Sequence, residues 1–284
     1  MNSLGAILDE AARLLDRHGR DAPRLCAELL AAEVLSVSRL EILVNRDMPV
    51  SQRERQSIEA LVRRRAGGEP LAYILGRKEF YGRELAVTPQ VLVPRPETEC
   101  LVDMVKLSYA SGQGVTFVDV GTGSGNLAVA LALELPGSSG IAMDISHEAL
   151  TVARRNILHY RLQGRLLLLQ ADLTAGLRKA SCDVLVANPP YLSRAEHAAA
   201  GREVRLFEPQ HALIGGEGGL EIIARLLKQL PAVLKPGGRF FVEIGETQPE
   251  ALKPLLAEAS DAWRDIRFLP DLQGRPRVLS GQCV

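Results

Sequence analysis

The chain has 284 residues, of which 46% are hydrophobic, and its 34 basic side chains are balanced by 34 acidic ones. A chain of this length and composition can bury a full core, which indicates one large domain or two smaller ones. A net charge of zero provides no global field that would attract nucleic acid or an anionic membrane. We therefore expect no direct nucleic-acid binding and no association with a membrane.

The four cysteines are far apart in the sequence, without the short paired spacings of a zinc site or a disulfide framework. No apolar run approaches the roughly 18 residues needed to cross a bilayer, and Asp9 and Glu10 interrupt the N-terminus before a signal peptide could form. These features predict a cytoplasmic protein. The histidines, including His197 and His211, lack ligand spacing, so we expect no metal site.

Apolar residues recur at helical spacing from Leu4 to about Leu75, which predicts a bundle of amphipathic helices over residues 1–76. Turn-forming residues interrupt the pattern at 19–23, 45–50 and 67–70. Asp21, before a proline, and Ser51 are the candidate helix starts. The run Arg63-Arg64-Arg65 is predicted to be a solvated helix face.

Residues 77–94 have a different character, with short apolar stretches on either side of Gly82. This pattern predicts a hairpin or an extended linker, and we place the domain boundary here. A helix is expected to begin near Glu97 and to run through Leu107.

From residue 95 to 284, apolar strands alternate with helical segments, the pattern of a mostly parallel sheet covered by helices on both faces. The chain is therefore predicted to be an α/β protein with an N-terminal helical domain. The strands are expected at residues 115–120, 140–144, 165–171, 183–187 and 239–244, with 263–269 and 277–279 forming an antiparallel edge.

A glycine-rich loop, Asp119-Val120-Gly121-Thr122-Gly123-Ser124-Gly125-Asn126, follows the first predicted strand and precedes a predicted helix at 127–135. Ligands of open parallel sheets bind at the carboxyl ends of the strands, and glycines let the backbone approach them closely. The dinucleotide-binding fingerprint requires its third glycine at the position where this chain has Asn126. This difference argues against a dehydrogenase.

Acidic residues end the next two predicted strands. Asp144 is placed to accept hydrogen bonds from the two hydroxyls of a ribose, and its alternative role is to cap the following helix. Ser146 is the better cap, which favours the functional role of Asp144. Asp172 and Leu173 end the third strand and could flank an adenine, although Asp172 alone could equally be a turn residue.

The fourth predicted strand ends in Asn188-Pro189-Pro190-Tyr191. The asparagine side chain offers a carbonyl acceptor, and the prolines fix the chain direction and leave the Pro189 carbonyl free to accept. Two neighbouring acceptors can hold one NH2 group. A rigid turn after a strand is the structural alternative for this motif taken alone.

The order of these four strand ends resembles class I S-adenosylmethionine-dependent methyltransferases, and Asn-Pro-Pro-Tyr resembles the branch that methylates planar NH2 groups. The resemblance implies a Rossmann-like sheet and S-adenosylmethionine as the cofactor. The residues it assigns to the cofactor are Asp119, Val120, Gly121, Thr122, Gly123, Gly125, Asp144, Asp172, Leu173 and Asn188. It assigns catalysis to Asn188, Pro189 and Tyr191, and substrate binding to these three together with Pro190.

Three further stretches are similar to the peptide chain release factor N5-glutamine methyltransferases: residues 69–80, 91–99 and 208–220, together with a C-terminal segment at 271–278. The resemblance implies that the chain methylates the glutamine of a Gly-Gly-Gln motif in a release factor. It also implies that the helical domain recognises this partner. Pro96-Glu97-Thr98-Glu99 favours this branch over the related ribosomal-protein glutamine methyltransferases.

The resemblance implies that the glutamine donates its N–H groups to the Asn188 side chain and the Pro189 carbonyl, with Tyr191 against the amide plane. No general base is evident, and Glu97 and Glu208 are either polar neighbours or structural acids. Residues 192–219 are expected to form a mobile flap over the entrance. Methylation of an exocyclic amine in DNA or RNA, and a regulatory module without turnover, remain the alternatives.

Overall fold

The computed structural model describes residues 3–110, 112–271 and 273–284. Its chain forms two compact units. The first comprises Met1–Gly76 with Arg202–Phe207, and the second comprises Arg77–Gly201 with Glu208–Val284. Among the described residues, no helix is long and apolar enough to cross a membrane. Leu272, in the family-like segment 271–278, lies outside the described residues.

The first unit is a helical bundle around one apolar core. Its consecutive helices are α1 Leu4–Arg17, α2 Pro23–Leu35, α3 Arg39–Val44, α4 Gln52–Ala66 and α5 Leu71–Leu75. The predicted start at Ser51 is confirmed, because its side chain accepts from the Glu54 backbone N–H in a capping box. The predicted start at Asp21 is wrong: Ala22, in a left-handed conformation with φ 46°, precedes Pro23 at the helix start.

One residue of the predicted solvated arginine face is buried instead. Arg65 is only 6% exposed, and its guanidinium donates to the Glu69 backbone carbonyl and, at 2.5 Å, to the carboxylate of Glu203. Glu203 lies in the helix Arg202–Phe207, far away in sequence but within the same unit. The periodicity of a helix carries no information about a partner that is distant in the sequence. The burial of Arg65 was therefore not predicted.

The second unit begins with the predicted hairpin, which consists of antiparallel strands β1 Arg77–Phe80 and β2 Arg83–Ala86. The buried side chain of Asn156 holds the end of this hairpin. Its Oδ1 accepts from the Ala86 N–H, and its Nδ2 donates to the carbonyls of Ala86 and Ser124. The hairpin is thereby tied to the glycine loop.

The rest of the second unit is the predicted α/β fold. After a 3-10 turn at Pro96–Thr98, its elements are α6 Glu99–Ser108, β3 Thr116–Val120, α7 Asn126–Glu134, β4 Ser139–Asp144, α8 His147–His159, β5 Leu166–Gln170, β6 Cys182–Ala187, β7 Leu192–Ser193, α9 Arg194–Ala199, β8 Ile214–Gly216, α11 Glu221–Val233, β9 Leu234–Glu243, α12 Pro249–Ala257, β10 Trp263–Pro270 and β11 Pro276–Cys283. The helix α10 Arg202–Phe207 lies between α9 and β8 in the sequence and belongs to the first unit. The last two strands are antiparallel, as predicted.

The main sheet has seven strands in the order β10-β11-β9-β6-β3-β4-β5. Strands β3, β4, β5, β6 and β9 are mutually parallel, and the central strands β3 and β6 are almost entirely buried, as expected for strands with helices on both faces. Parallel pairing brings their carboxyl ends to one edge of the sheet. The glycine loop, Asp144, Asp172 and Asn188 all follow strands at this edge.

The segment predicted as a flap contains regular structure. Residues 192–219 form β7, α9, α10 and β8, and β7 pairs in parallel with β8. Ser193 caps α9 through a capping box with Glu196. Local capping and a short strand pair therefore order the backbone of this segment.

Candidate functional site

A cavity of about 370 Å³ lies at the carboxyl edge of the central strands. This volume is within the range of small-molecule sites. Its walls come from the strand ends and from the segment after the hairpin: Gln90, Val91, Leu92, Pro94, Arg95, Thr98, Val120, Gly121, Thr122, Gly123, Ser124, Asn126, Leu127, Asp144, Ile145, Ala149, Ala171, Asp172, Leu173, Asn188, Pro189, Pro190, His211, Ala212, Ile214, Ile222 and Arg225.

The glycine loop forms one wall of the cavity. Gly121, Gly123 and Gly125 have φ values of 73°, 54° and 81°, a region that favours glycine, so the loop needs these residues to turn sharply from β3 into α7. Gly121 and Gly123 line the cavity. Gly125 instead packs against α8, where an added Cβ would lie 3.3 Å from the Cβ of Ala153.

Asp119 supports the loop from behind, because it is fully buried and, among the described residues, is not part of the cavity wall. Its Oδ2 accepts from the Thr122 hydroxyl at 2.6 Å and from the Ala128 N–H at 3.1 Å. Burial raises the pKa of Asp119 to about 7. Asp119 therefore lies behind the glycine loop and not at the surface of the cavity.

Asp144 faces the cavity from the end of β4. One carboxylate oxygen accepts from the Gly123 N–H and the other from the Ser146 N–H, both at 2.9 Å. Each carboxylate oxygen can accept two hydrogen bonds, so capacity remains for the hydroxyls of a ribose. The helix α8 is capped by Ser146, whose hydroxyl accepts from the Ala149 N–H, which confirms the prediction for this cap.

Asp172 and Leu173 stand at the edge of the cavity. The Asp172 carboxylate forms an ion pair with Arg225 of α11, and both side chains are about half exposed. Leu173 is 9% exposed and adopts a positive φ of 52°, which directs the chain sharply away from β5. Leu173, Ile145 and Ile222 are apolar residues of the cavity lining.

Asn188 and Pro189 present two oxygen acceptors at the end of β6. Strand β6 pairs with β3 so that Ala187 lies opposite Val120, which places Asn188 beside Gly121. Among the described residues, no protein donor is bonded to Asn188 Oδ1 or to the Pro189 carbonyl. Both residues, and Pro190, line the cavity.

Tyr191, which follows the two prolines, has a buried partner for its hydroxyl. Tyr191 is not among the described residues that line the cavity. Its hydroxyl lies 3.3 Å from Glu243 Oε1. Burial, followed by the charge of Glu243, raises the pKa of the Tyr191 phenol. Its aromatic ring packs on the apolar core beneath the site.

Sequence reasoning missed the buried polar group behind Asn188. The Asn188 Nδ2 donates to Thr98 Oγ1 at 2.9 Å, and Thr98 donates to Glu243 Oε2 at 2.6 Å. Thr98 and Glu243 are both 1% exposed. Glu243 ends strand β9, next to β6 in the sheet, so its position at a strand end was the signal available in the sequence.

The other candidate residues lie in different surroundings. Glu208, with a side chain that is 1% exposed, forms an ion pair with Arg95 at 2.6 Å. His211 lines the cavity, whereas His197 is buried on α9. Glu97 acts on Glu243, because the pKa of Glu243 is raised first by burial and also by the negative charge of Glu97.

A glycine loop, two acids and Asn-Pro-Pro-Tyr at adjacent strand ends of a seven-stranded sheet define a class I S-adenosylmethionine-dependent methyltransferase. The Nitratidesulfovibrio vulgaris release factor glutamine methyltransferase is 41% identical over 98% of this chain and 94% of its own length. The Rhodopirellula baltica release factor glutamine methyltransferase is 39% identical over 97% of this chain and 95% of its own length. The chain belongs to the release factor glutamine methyltransferase family.

Family models match both parts of the chain. Residues 6–76 match the PrmC N-terminal domain, and residues 97–235 match the methyltransferase small domain. Among solved structures, the hMettl16 catalytic domain in complex with an RNA hairpin superposes with a TM-score of 0.57 at 17% identity, covering 78% of this chain and 81% of that one. A Pyrococcus furiosus methyltransferase gives 0.53 at 18% identity, covering 72% and 91%. At these identities the likeness concerns the fold alone.

The cofactor of this enzyme is S-adenosylmethionine, and the cavity fits its chemistry. Asp144 offers unused carboxylate capacity for hydroxyls, the glycine loop offers close backbone approach, and Leu173 belongs to an apolar wall. One cavity thus contains a carboxylate for hydroxyls, a loop that a ligand can approach closely and an apolar wall.

Proposed function

We propose that this chain methylates the side-chain amide nitrogen (N5) of the glutamine in the Gly-Gly-Gln motif of peptide chain release factors. The observation that carries the proposal is the pair of acceptors, Asn188 Oδ1 and the Pro189 carbonyl, at the wall of the cofactor cavity. The relatives named for this activity match nearly the whole chain, which supports the same substrate.

The substrate nitrogen needs positioning because its lone pair is delocalised into the amide carbonyl. S-adenosylmethionine supplies an electrophilic methyl group when it is bound. Asn188 Oδ1 and the Pro189 carbonyl each accept one N–H of the glutamine, which fixes the orientation of the nitrogen. Such alignment can contribute up to about 7 to 11 kcal/mol of barrier reduction.

These same acceptors also favour the transition state. Positive charge grows on the attacking nitrogen, and a fixed carbonyl dipole stabilises it with little reorganisation. The methylated nitrogen afterwards releases one proton, for which we assign no base. The Tyr191 hydroxyl lies 3.3 Å from Glu243, which helps to fix the tyrosine beside the two acceptors, with its ring available to pack against the amide plane.

For the cofactor, we propose that Asp144 binds the ribose hydroxyls and that Val120, Gly121, Thr122 and Gly123 surround the polar tail. Asp172 and Leu173 flank the adenine. Asp119 and Gly125 act on the cofactor through the shape of the loop, since one is bonded to Thr122 and the other packs on α8.

We propose that residues 1–76 recognise the body of the release factor, that residues 77–94 link the two domains, and that residues 95–284 carry out the transfer. The helical domain matches the family's N-terminal model, which supports a role specific to this family. A partner that acts in translation termination places the enzyme in the cytoplasm.

The test is incubation of the purified chain and methyl-labelled cofactor with a release factor, and in parallel with DNA and RNA. We expect label on the release factor. A release factor whose Gly-Gly-Gln glutamine is replaced by alanine serves as the matched control and should take up no label. Label that appears only in nucleic acid, or equally in the control, overturns the proposal.

A further inference from the structure

A buried row of hydrogen bonds runs behind the acceptor Asn188. The Asn188 amide nitrogen donates to Thr98, and the Thr98 hydroxyl donates in turn to the carboxylate of Glu243. The other oxygen of that carboxylate faces the Tyr191 hydroxyl. These residues come from the turn before α6 and from the ends of β6 and β9.

The direction of each bond in this row is determined by the carboxylate. An ionised carboxylate can only accept hydrogen bonds, so the Thr98 hydroxyl must donate its single proton to Glu243. Thr98 Oγ1 then offers only lone pairs to Asn188. The asparagine must therefore turn its NH2 group towards Thr98, which leaves Oδ1 directed away from the row.

This orientation matters because the two ends of an asparagine amide have nearly the same shape but opposite hydrogen-bonding character. With the amide reversed, an NH2 group would meet the NH2 group of the substrate, and neither could accept. The orientation of Asn188 is thus as important as its presence.

We propose that Thr98 and Glu243 are positioning residues that hold the Asn188 amide in the one orientation that accepts the substrate NH2 group. The inference rests on the proposed function, because it concerns the same acceptor. Thr98 and Glu243 do not touch the reacting atoms; they act through Asn188, and Glu243 also holds Tyr191.

The charge state of Glu243 gives the row a pH dependence. Burial raises the pKa of Glu243 to about 7, while the hydrogen bond from Thr98 and the charge of Arg277 on β11 oppose this rise. Glu97 and Cys100 are the other titratable groups that act on it, besides Tyr191. A protonated Glu243 could donate to Thr98, which would free the threonine proton to turn towards Asn188 and allow the reversed amide.

The first test compares Thr98→Val with Thr98→Ser in the full chain, using a release factor as substrate. Valine keeps the shape but removes the hydroxyl, so kcat should fall about 10- to 100-fold, as when one transition-state contact is weakened. Serine restores the hydroxyl, so its kcat should stay within about threefold of the parent. The Kd for S-adenosylmethionine should be unchanged in both variants, as calorimetry would show.

The second test is the pH profile of kcat for the parent and for Glu243→Gln. The kcat of the parent should fall as the pH decreases through about 7, because Glu243 becomes protonated. Thr98 then no longer has to donate to Glu243, and the Asn188 amide can reverse. The glutamine variant should lack this limb, because its side chain does not ionise. Thermal unfolding of each variant verifies that it is folded.

The outcomes separate the two proposals. A parent enzyme that leaves the release factor unmethylated refutes the proposed function. An active parent with a Thr98→Val variant of equal kcat refutes the positioning role alone. If folded Thr98→Val and Thr98→Ser lose kcat equally, the hydroxyl is not the determinant, which also refutes it.

Discussion

Two buried acids support the two sides of the cavity, and they differ in how far away their partners lie. Asp119 supports the cofactor side and binds Thr122 and the Ala128 N–H, three and nine residues along the chain. Glu243 supports the acceptor side and binds Thr98 and Tyr191, 145 and 52 residues away. Burial raises the pKa of both to about 7.

The difference shows how each side achieves its geometry. On the cofactor side, Asp119 holds the glycine loop through contacts within one short segment, and Asp144 of β4 adds a hydrogen bond to the same loop. The acceptor side is assembled from three segments that meet only in the folded sheet. A change on the cofactor side should therefore affect affinity for S-adenosylmethionine, whereas a change on the acceptor side should affect kcat.

The largest effect is expected on the acceptor side. Asn188→Ala removes one of the two substrate acceptors, so kcat should fall about 10²- to 10³-fold. Calorimetry should show a change of less than about 1 kcal/mol in binding of S-adenosylmethionine, the size of one neutral hydrogen bond. Activity equal to that of the parent would contradict the two-acceptor geometry, and a large loss of cofactor affinity would erase the distinction between the two sides.

The next effect is expected on the cofactor side. Asp144→Ala should weaken binding of S-adenosylmethionine by about 1 to 3 kcal/mol, because hydrogen bonds to a charged carboxylate are lost. The variant also releases the Gly123 N–H, which adds to the loss. An unchanged Kd in calorimetry would remove Asp144 from the cofactor site.

The two acids can be compared through the pH dependence of stability. The pKa of Asp119 is raised from 3.8 to about 7 in the folded chain, so the folded state binds more protons between these values. Its contribution to the free energy of unfolding is thus present at low pH and is lost as the pH rises through about 7. The stability of the parent relative to Asp119→Asn should decline over this range in urea titrations. If the difference in free energy of unfolding between the parent and Asp119→Asn did not change with pH, the pKa of Asp119 would not be raised by burial.

The smallest effect provides a control for Asp144. Ser146 caps α8 with its hydroxyl, and replacing it with alanine should lower the free energy of unfolding by about 1 kcal/mol. Because the cap does not face the cavity, Ser146→Ala should bind S-adenosylmethionine like the parent. If it weakened binding as much as Asp144→Ala does, the effect of Asp144 would lie in helix stability and not in ribose binding.

The sequence predicted most of the fold because apolar periodicity is local. The five parallel strands and the antiparallel edge lie within a few residues of their predicted bounds, although β9 begins earlier, at Leu234. The helix start at Ala22 was missed because a left-handed residue without a side-chain cap leaves no motif.

The residues of the candidate site that were predicted from the sequence are those at strand ends. The Gly121 to Gly125 loop, Asp144 and Asn188 each follow a strand directly, so sequence order alone placed them at one edge. Thr98 meets Asn188 across 90 residues, and Glu243 meets Thr98 across 145, so neither contact leaves a spacing in the sequence. The buried Arg65 escaped prediction for the same reason.

The most direct test of the central claim is mass mapping of a release factor after reaction with the chain and S-adenosylmethionine. The acceptor geometry of Asn188 and Pro189 predicts one methyl group, located on the side-chain amide of the Gly-Gly-Gln glutamine. It also predicts that the Asn188→Ala enzyme modifies this site about 10²- to 10³-fold more slowly than the parent. A methyl group on another residue of the release factor, or modification by Asn188→Ala at the rate of the parent, would contradict the account.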